Sequence, residues 1–363
     1  MKILLLHAYS SKNTGDGLLV ELSHSLLNRA FSNPEITTVA LDASSFGERD
    51  VIQWGDASVQ NHKIPVPAGM FIASLIGNKN LNEIASKSDL ILGVGGGYMR
   101  GGTLIEAIKY VGAHFGQLRI AARHGSRSIL LPQSIGPFRG PLKQIIGSRL
   151  SKIDTIYLRD ERSINDLHKL QNILRGSDLA VMELARSIEE IPEPVDNRPV
   201  IIARHLAGKN KKYGILLRDL AKDKRYGWAV QSRGRGNNDG PLTDALSEST
   251  APNLAELLAA KKAGVIVSTR LHGSMAALLA GVPTVHLSYE RKGWGAFSDL
   301  GLDRYVLNAR NTTLAEVNTL VDEIQNDQTA YWKRVLAARG MISKREIELI
   351  HNLRRVAGER VHG

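Results

Sequence analysis

The chain has 363 residues, of which 43% are apolar and 23% charged, with a formal net charge of +11 and no cysteine. That length favours two α/β domains over one core, and the missing thiols exclude disulfides and cysteine metal sites, in keeping with a reducing cytoplasm. The positive field suits nucleic acid, anionic lipid or small phosphorylated substrates; aromatics at 5% and no zinc-finger, helix-turn-helix or RNA-recognition signature argue against nucleic acid.

Residues 1–7 read as a first strand and not as a secretory signal, because the apolar run is short and leads straight into Ser10-Ser11-Lys12-Asn13. No stretch approaches the roughly 20 apolar residues of a membrane span. Apolar runs at 3–6, 38–41, 90–94, 129–132 and 155–158 predict buried strands, separated by amphipathic segments at 17–30, 103–123 and 141–150. Nearly continuous apolar strands alternating with helices predict a parallel sheet covered on both faces. The pattern then repeats, with strands at 199–203, 227–231, 265–268 and 284–287 and helices at 213–222, 254–263 and 272–280. Between the halves, Glu189, Glu190, Pro192, Glu193, Pro194 and Pro199 give a linker composition. The expected architecture is α/β: a Rossmann-like domain over 1–187, a linker over 188–199, and a second such domain over 200–363 ending in basic helices. Those helices start at residue 313 and break near Asn326-Asp327, with Gly340 as a candidate second break. The Gly- and Arg-rich segment 232–241 reads as a flexible loop.

There is no Walker A loop, no Gly-x-Gly-x-x-Gly, no Gly-x-Ser-x-Gly, no His-Glu-x-x-His and no Asp-x-Asp, so the chemistry falls to loops at strand ends. In Ser268-Thr269-Arg270-Leu271-His272-Gly273, a strand ends and a helix begins. That puts Arg270, His272 and the first helical N–H groups at the carboxyl edge of a sheet, where open α/β folds bind ligands. Arginine and a helix N-terminus both favour anions, and imidazole exchanges protons near neutral pH. The plainer reading pairs Arg270 with a core acid and makes His272 a cap. Asn13-Thr14-Gly15-Asp16-Gly17 follows the first strand, as a ligand loop or as a turn capped by Asp16. Gly95-Gly96-Gly97 either admits a ligand to the backbone or serves helix–strand packing. Gln133 and Ser134 follow another strand. Arg159 and Arg204 also end strands; each is a candidate anion clamp or, on the alternative reading, half of a surface ion pair, for Arg159 with Asp160 or Glu161.

Taken in order, Asn13-x-Gly15-Asp16, Gly95–Gly97, Gln133-Ser134-Ile135-Gly136-Pro137, Arg159-Asp160-x-x-Ser163, Asp178-Leu179-Ala180 and Thr269-Arg270-Leu271-His272-Gly273 with Gly281-Val282-Pro283 resemble the polysaccharide pyruvyltransferase family. The resemblance implies a GT-B-like fold, two Rossmann-type domains facing across a cleft, with acceptor on the first and donor on the second. It implies phosphoenolpyruvate as donor, a sugar diol of a glycan or lipid-linked precursor as acceptor, a pyruvate ketal as product, and neither metal nor other cofactor. His272 would be the acid/base and Asp16 would orient or deprotonate the acceptor. Arg270, Leu271 and Lys292 would meet the donor, with Arg159 or Arg204 as opposing clamp, and Asn13, Gly15, Gly96, Gly97, Gln133 and Ser134 would line the loops. A glycosyltransferase using a nucleotide-sugar is the rival reading, since one fold hosts many chemistries. For the basic tail, contact with anionic lipid at the inner face of the membrane competes with a solvated helix face packed back on the first domain. Nothing in the sequence specifies the acceptor sugar or an oligomeric state.

Overall fold

The computed structural model describes residues 1–47, 49–54, 74, 78–195, 198–206, 208, 210–233 and 238–358, with the backbone alone at 291 and 292. The expected loop 232–241 therefore lies partly outside the described residues, as does the Lys292 side chain. The chain divides into two compact units. The first holds Met1–Ser11, Asp16–Leu179 and the chain from Lys344 onward; the second holds Lys12–Gly15 and Ala180–Ser343. The division thus falls at Leu179/Ala180, ahead of the expected linker, and the end of the chain belongs to the first unit.

In the first unit, β1 (Lys2–Ala8), β2 (Glu35–Ala40), β3 (Val51–Gln53), β4 (Leu90–Gly93), β6 (Ser128–Gln133), β8 (Thr155–Leu158) and β9 (Ile173–Arg175) form one sheet in the order β3-β2-β1-β4-β6-β8-β9. Every pairing is parallel. The central strands β1, β4, β6 and β8 are buried almost throughout, which explains their unbroken apolar runs. Two short strands, β5 (Met99–Gly101) and β7 (Ile135–Phe138), pair separately beyond the ends of β4 and β6. The helix after β5 starts with a capping box: Thr103 Oγ1 accepts from Glu106 N (3.3 Å) and Glu106 Oε2 from Thr103 N (3.2 Å). The expected single helix at 103–123 is interrupted by a π turn at Val111–Phe115.

The second unit contains β10 (Val200–Ile202), β11 (Gly227–Trp228), β12 (Ile266–Ser268), β13 (Thr284–Ser288) and β14 (Val306–Asn308), all parallel, in the order β11-β10-β12-β13-β14. Helices follow each expected strand, including Lys211–Lys222, Leu254–Ala259 and Leu271–Leu279. At the end of segment 232–241, Gly240 and Pro241 open a helix, Gly240–Ser247, so this part is not a loop; proline at the first turn loses no hydrogen bond there.

The tail is helix Leu314–Asn326, again opened by a capping box, and helix Thr329–Val356. The second helix runs through Gly340 without a break; one internal glycine costs only about 1 kcal/mol, and packing along the rest offsets it. Four of its basic residues are engaged. Arg339 Nε donates to Ala185 O in the second unit. In the first unit, Arg345 donates to Ser177 Oγ, Arg354 to Ala30 O, and Arg355 pairs with Asp154. These contacts favour packing over a lipid-facing surface. No helix of the described residues is long and apolar enough to cross a membrane.

Candidate functional site

In an open parallel sheet, ligands sit beyond the carboxyl ends of the strands where the strand order reverses. In the second unit that point lies between β10 and β12, and Arg204 and Arg270 follow these two strands directly. Thr269 ties them together: its N and Oγ1 both donate to Ile202 O, at 3.0 and 3.1 Å. Tyr213 OH donates to Arg204 O (3.1 Å), and burial lifts its hydroxyl to about 12, so it stays protonated.

Arg270 is the residue before helix Leu271–Leu279. Its backbone is held by Ser268 Oγ, which accepts from Arg270 N (3.0 Å) and donates to Arg270 O (2.9 Å). Its guanidinium is forked onto Asp239, Nε to Oδ2 at 2.5 Å and Nη2 to Oδ1 at 2.6 Å. Burial raises the Asp239 carboxyl above its usual range, while the Arg270 guanidinium pulls the other way. Arg204 lies with its guanidinium 5.2 Å from the Tyr289 ring centre and donates from Nη1 to Tyr289 OH at 2.5 Å. Leu271 is buried in the first helical turn, whereas His272 beside it is half-buried.

The turn Lys12–Gly15 belongs to this unit. Thr14 Oγ1 donates to Gln231 O (3.0 Å), and Gly15 lies flat against His272: a Cβ there would stand 2.5 Å from Nδ1 and 3.1 Å from Cγ. The glycine is needed for this close approach and not for a positive φ. Asn13 is half-buried in the same turn.

In the first unit the order reverses between β1 and β4. Along this carboxyl edge lie His7, the Gly95–Gly97 run, Gln133 with Ser134, and Arg159. Gly95 is tight because a Cβ would meet Pro132 O at 2.5 Å; Ser134 N donates to Gly96 O (2.8 Å), and Gly97 is half-buried. Arg159 is not paired with Asp160 or Glu161. It bonds Ser134 Oγ through Nε (3.1 Å) and Asp178 through Nη1, and both charged side chains are 1% exposed. Asp160 instead caps the next helix by accepting from Ser163 N (2.9 Å), and Glu161 pairs with Arg175. Arg159 Nη2 and both amide atoms of Gln133 are buried without a hydrogen-bond partner among the described residues. Such groups cost about 1–3 kcal/mol each unless a ligand or water meets them. Asp16 is half-buried in the first turn of helix Thr14–Ala30; its charge, after burial, helps raise the Tyr9 hydroxyl.

Sequence reasoning missed the cluster at the reversal point itself. His7 has φ 73°, a region most side chains avoid, and its N donates to Gln117 Oε1 at 2.7 Å. Its ring stacks on Tyr98 (5.0 Å) and its Nδ1 is 3.3 Å from His114 Nδ1. His114 lies in the π turn, a feature frequent at functional sites. The only signal for His7 was its place at the end of β1; for His114 there was none.

Burial pushes His114 down to about 3, and burial followed by the charge of His114 holds His7 well below its ordinary 6.5. Both rings are therefore neutral when folded, while the unfolded chain protonates near 6.5. Their contribution to stability is complete above that pH and is lost progressively as pH falls below it. Urea unfolding at pH 7 and pH 5 is expected to show this drop. His114→Phe should show a shallower one, and an equal drop would remove the pair as its source.

A family model described as polysaccharide pyruvyl transferase matches residues 13–291. Among solved structures, the chain is similar to the UDP-GlcNAc 2-epimerase from Neisseria meningitidis bound to UDP-GlcNAc, at 12% identity over 98% of this chain and 100% of that one, TM-score 0.54. It is also similar to a putative UDP-N-acetylglucosamine 2-epimerase from Listeria monocytogenes (10%, 100% and 98%, TM-score 0.53). A UDP-glucosyltransferase from Polygonum tinctorium is a third (9%, 99% and 99%, TM-score 0.52). At such identities the likeness establishes a GT-B-type α/β fold and no activity. No curated protein matches the chain. The family match spans well over half of the chain and takes in the loops at both sheet edges, so this protein belongs to the polysaccharide pyruvyl transferase family.

Proposed function

We propose that this family member takes its pyruvyl group from phosphoenolpyruvate and leaves it as a ketal on a sugar diol, releasing phosphate. The observation that carries the reading is the pairing of Arg204 and Arg270 across the reversal point of the second sheet, with His272 on the helix turn that follows. Two guanidinium groups and a helix N-terminus suit a small molecule bearing both phosphate and carboxylate.

In the proposed reaction His272 delivers a proton to the methylene carbon, which becomes a methyl group and leaves C2 electrophilic. An acceptor hydroxyl, oriented by Asp16, adds to C2 and gives its proton to the now neutral His272, which restores the acid for the next turnover. The C2–O bond to phosphate then breaks, and Arg270 with Lys292 offsets the charge on the departing group. The neighbouring hydroxyl closes the ring and its proton leaves with phosphate, so one pyruvyl group and one phosphate account for each donor consumed. Leu271 is buried in the core and supports the turn, while Arg204 completes the donor clamp. Arg159, held by Asp178, is the first unit's candidate polar arm. Asn13, Gly15, Gly96, Gly97, Gln133 and Ser134 shape the loops, and the acceptor is a surface glycan or its lipid-linked precursor, met in the cytoplasm.

The test is to supply the purified protein with phosphoenolpyruvate and candidate glycans, and in parallel with nucleotide-sugars. Phosphate release together with a glycan mass gain of one pyruvate less one water supports the reading; glycosyl transfer from a nucleotide-sugar overturns it. Within the same assay, Gly15→Ala must displace the His272 imidazole, and misplacing a catalytic group by about 1 Å costs roughly 10²-fold. The expected result is a fall in kcat of that order with circular dichroism unchanged; full activity would show that the imidazole position is irrelevant to turnover.

A further inference from the structure

Strand β13 carries His286, a buried residue outside the motifs considered so far. One edge of its ring faces the helix that carries His272: Nδ1 lies 3.0 Å from Ser274 Oγ. Ser274 Oγ also lies 3.3 Å from Arg270 O, the carbonyl that accepts from Ser268 Oγ at 2.9 Å. Ser268 is itself the register partner of His286 across β12 and β13. The other edge faces the start of helix Arg291–Asp299. A Cβ on Gly293 would stand 2.2 Å from His286 Nε2 and 2.6 Å from Ser288 Oγ, and Ser288 Oγ donates to Glu290 O at 2.7 Å. Phe297, on that helix, stacks on the ring with centres 5.0 Å apart and planes 15° apart.

The imidazole is therefore wedged between two turns that both bear residues of the proposed donor site. A histidine fits because its rigid ring offers a polar atom on each of two edges at a fixed separation. We propose that His286 is a positioning residue, which locks the Arg270–His272 turn against the Glu290–Gly293 turn so that a phosphate-bearing ligand meets both in one preset arrangement. The identity of that ligand rests on the function proposed above; the locking does not. His286 touches no substrate in this scheme and moves no proton of the reaction. Its effect is to lower the reorganisation needed when the anion binds.

The test is calorimetric titration of the wild-type protein, Ser274→Ala, His286→Gln and His286→Asn with phosphoenolpyruvate and, separately, with inorganic phosphate, alongside steady-state kinetics. Asparagine places its amide near the Nδ1 position and glutamine near Nε2. Ser274→Ala and His286→Gln are expected to weaken both probes about tenfold, with kcat at saturating donor within about twofold of wild type, the pattern of lost ground-state positioning. His286→Asn keeps the Ser274 link but gives up the edge at Gly293, so it should weaken both probes as well; wild-type affinity in this variant would overturn the role of the second edge. A residue that only fills the core would lower the folded fraction, and so kcat, while leaving the affinity of the folded molecules unchanged; wild-type affinity in Ser274→Ala overturns the proposal. If the wild type binds phosphate but not phosphoenolpyruvate, the donor assignment falls and the phosphate titrations still decide the role of His286. Binding of neither overturns both.

Discussion

Replacing His272 with alanine is expected to lower turnover of phosphoenolpyruvate by about 10²–10⁴-fold, the range usual for loss of a general acid/base. Donor affinity should change far less, because the proposed reading assigns the donor's charges to Arg204 and Arg270 and not to the imidazole. The structure holds the ring in place: the side chain is half-buried with Nε2 enclosed, and the imidazole is pressed against Gly15, which fixes its plane. Phosphate release with a glycan acceptor present is the measurement. Turnover within threefold of wild type, with folding intact, would remove the acid/base role. His272→Gln separates shape from proton transfer: it can fill much of the space and hydrogen-bond, but it cannot titrate, so it should be as impaired as the alanine variant.

Asp178→Ala is expected to destabilise the protein by about 3–5 kcal/mol, since it strands the Arg159 guanidinium in an interior that excludes water. Both partners are 1% exposed, so solvent cannot take over the lost charge. The measurement is urea unfolding. Replacing both members with apolar residues, Arg159→Met with Asp178→Leu, should restore most of the loss, because the pair's desolvation cost disappears with it. The double variant also separates stability from activity. It is predicted to fold and, if the proposed polar arm meets the acceptor, to be impaired with a glycan, since the Arg159 guanidinium is gone. A loss below about 1 kcal/mol in Asp178→Ala would mean that water reaches Arg159 after all.

The apolar runs at 3–6, 90–94, 129–132 and 155–158 announced the first sheet because central parallel strands are buried on both faces and need no alternation. Edge and accessory strands escaped notice for the converse reason. β3, β5 and β9 have three residues each, too few for a periodicity to show. Boundaries between units were also hidden: Pro- and Glu-rich composition marks a segment that does not fold into a regular element, not the place where contacts divide. The long helix Thr329–Val356 shows the same limit, since Gly340 lowers helix propensity locally while burial of Tyr331, Trp332, Ile342, Leu349 and Leu353 decides the outcome.

For the candidate site, the sequence alone determined which residues end strands and begin helices, and so which side chains reach a carboxyl sheet edge: Gln133, Arg159, Arg204, Arg270 and His272. Chain-local geometry suffices for that, because a buried strand followed by a helix leaves little choice about direction. Only the tertiary structure decided partners. That Arg270 faces Asp239, that Arg159 faces Asp178 and not its neighbours Asp160 and Glu161, that Gly15 lies on His272, and that His7 meets His114 all depend on strand order and on a π turn. Those contacts join residues far apart in the chain, and their energies arise from burial, which no residue carries until the sheet around it has closed.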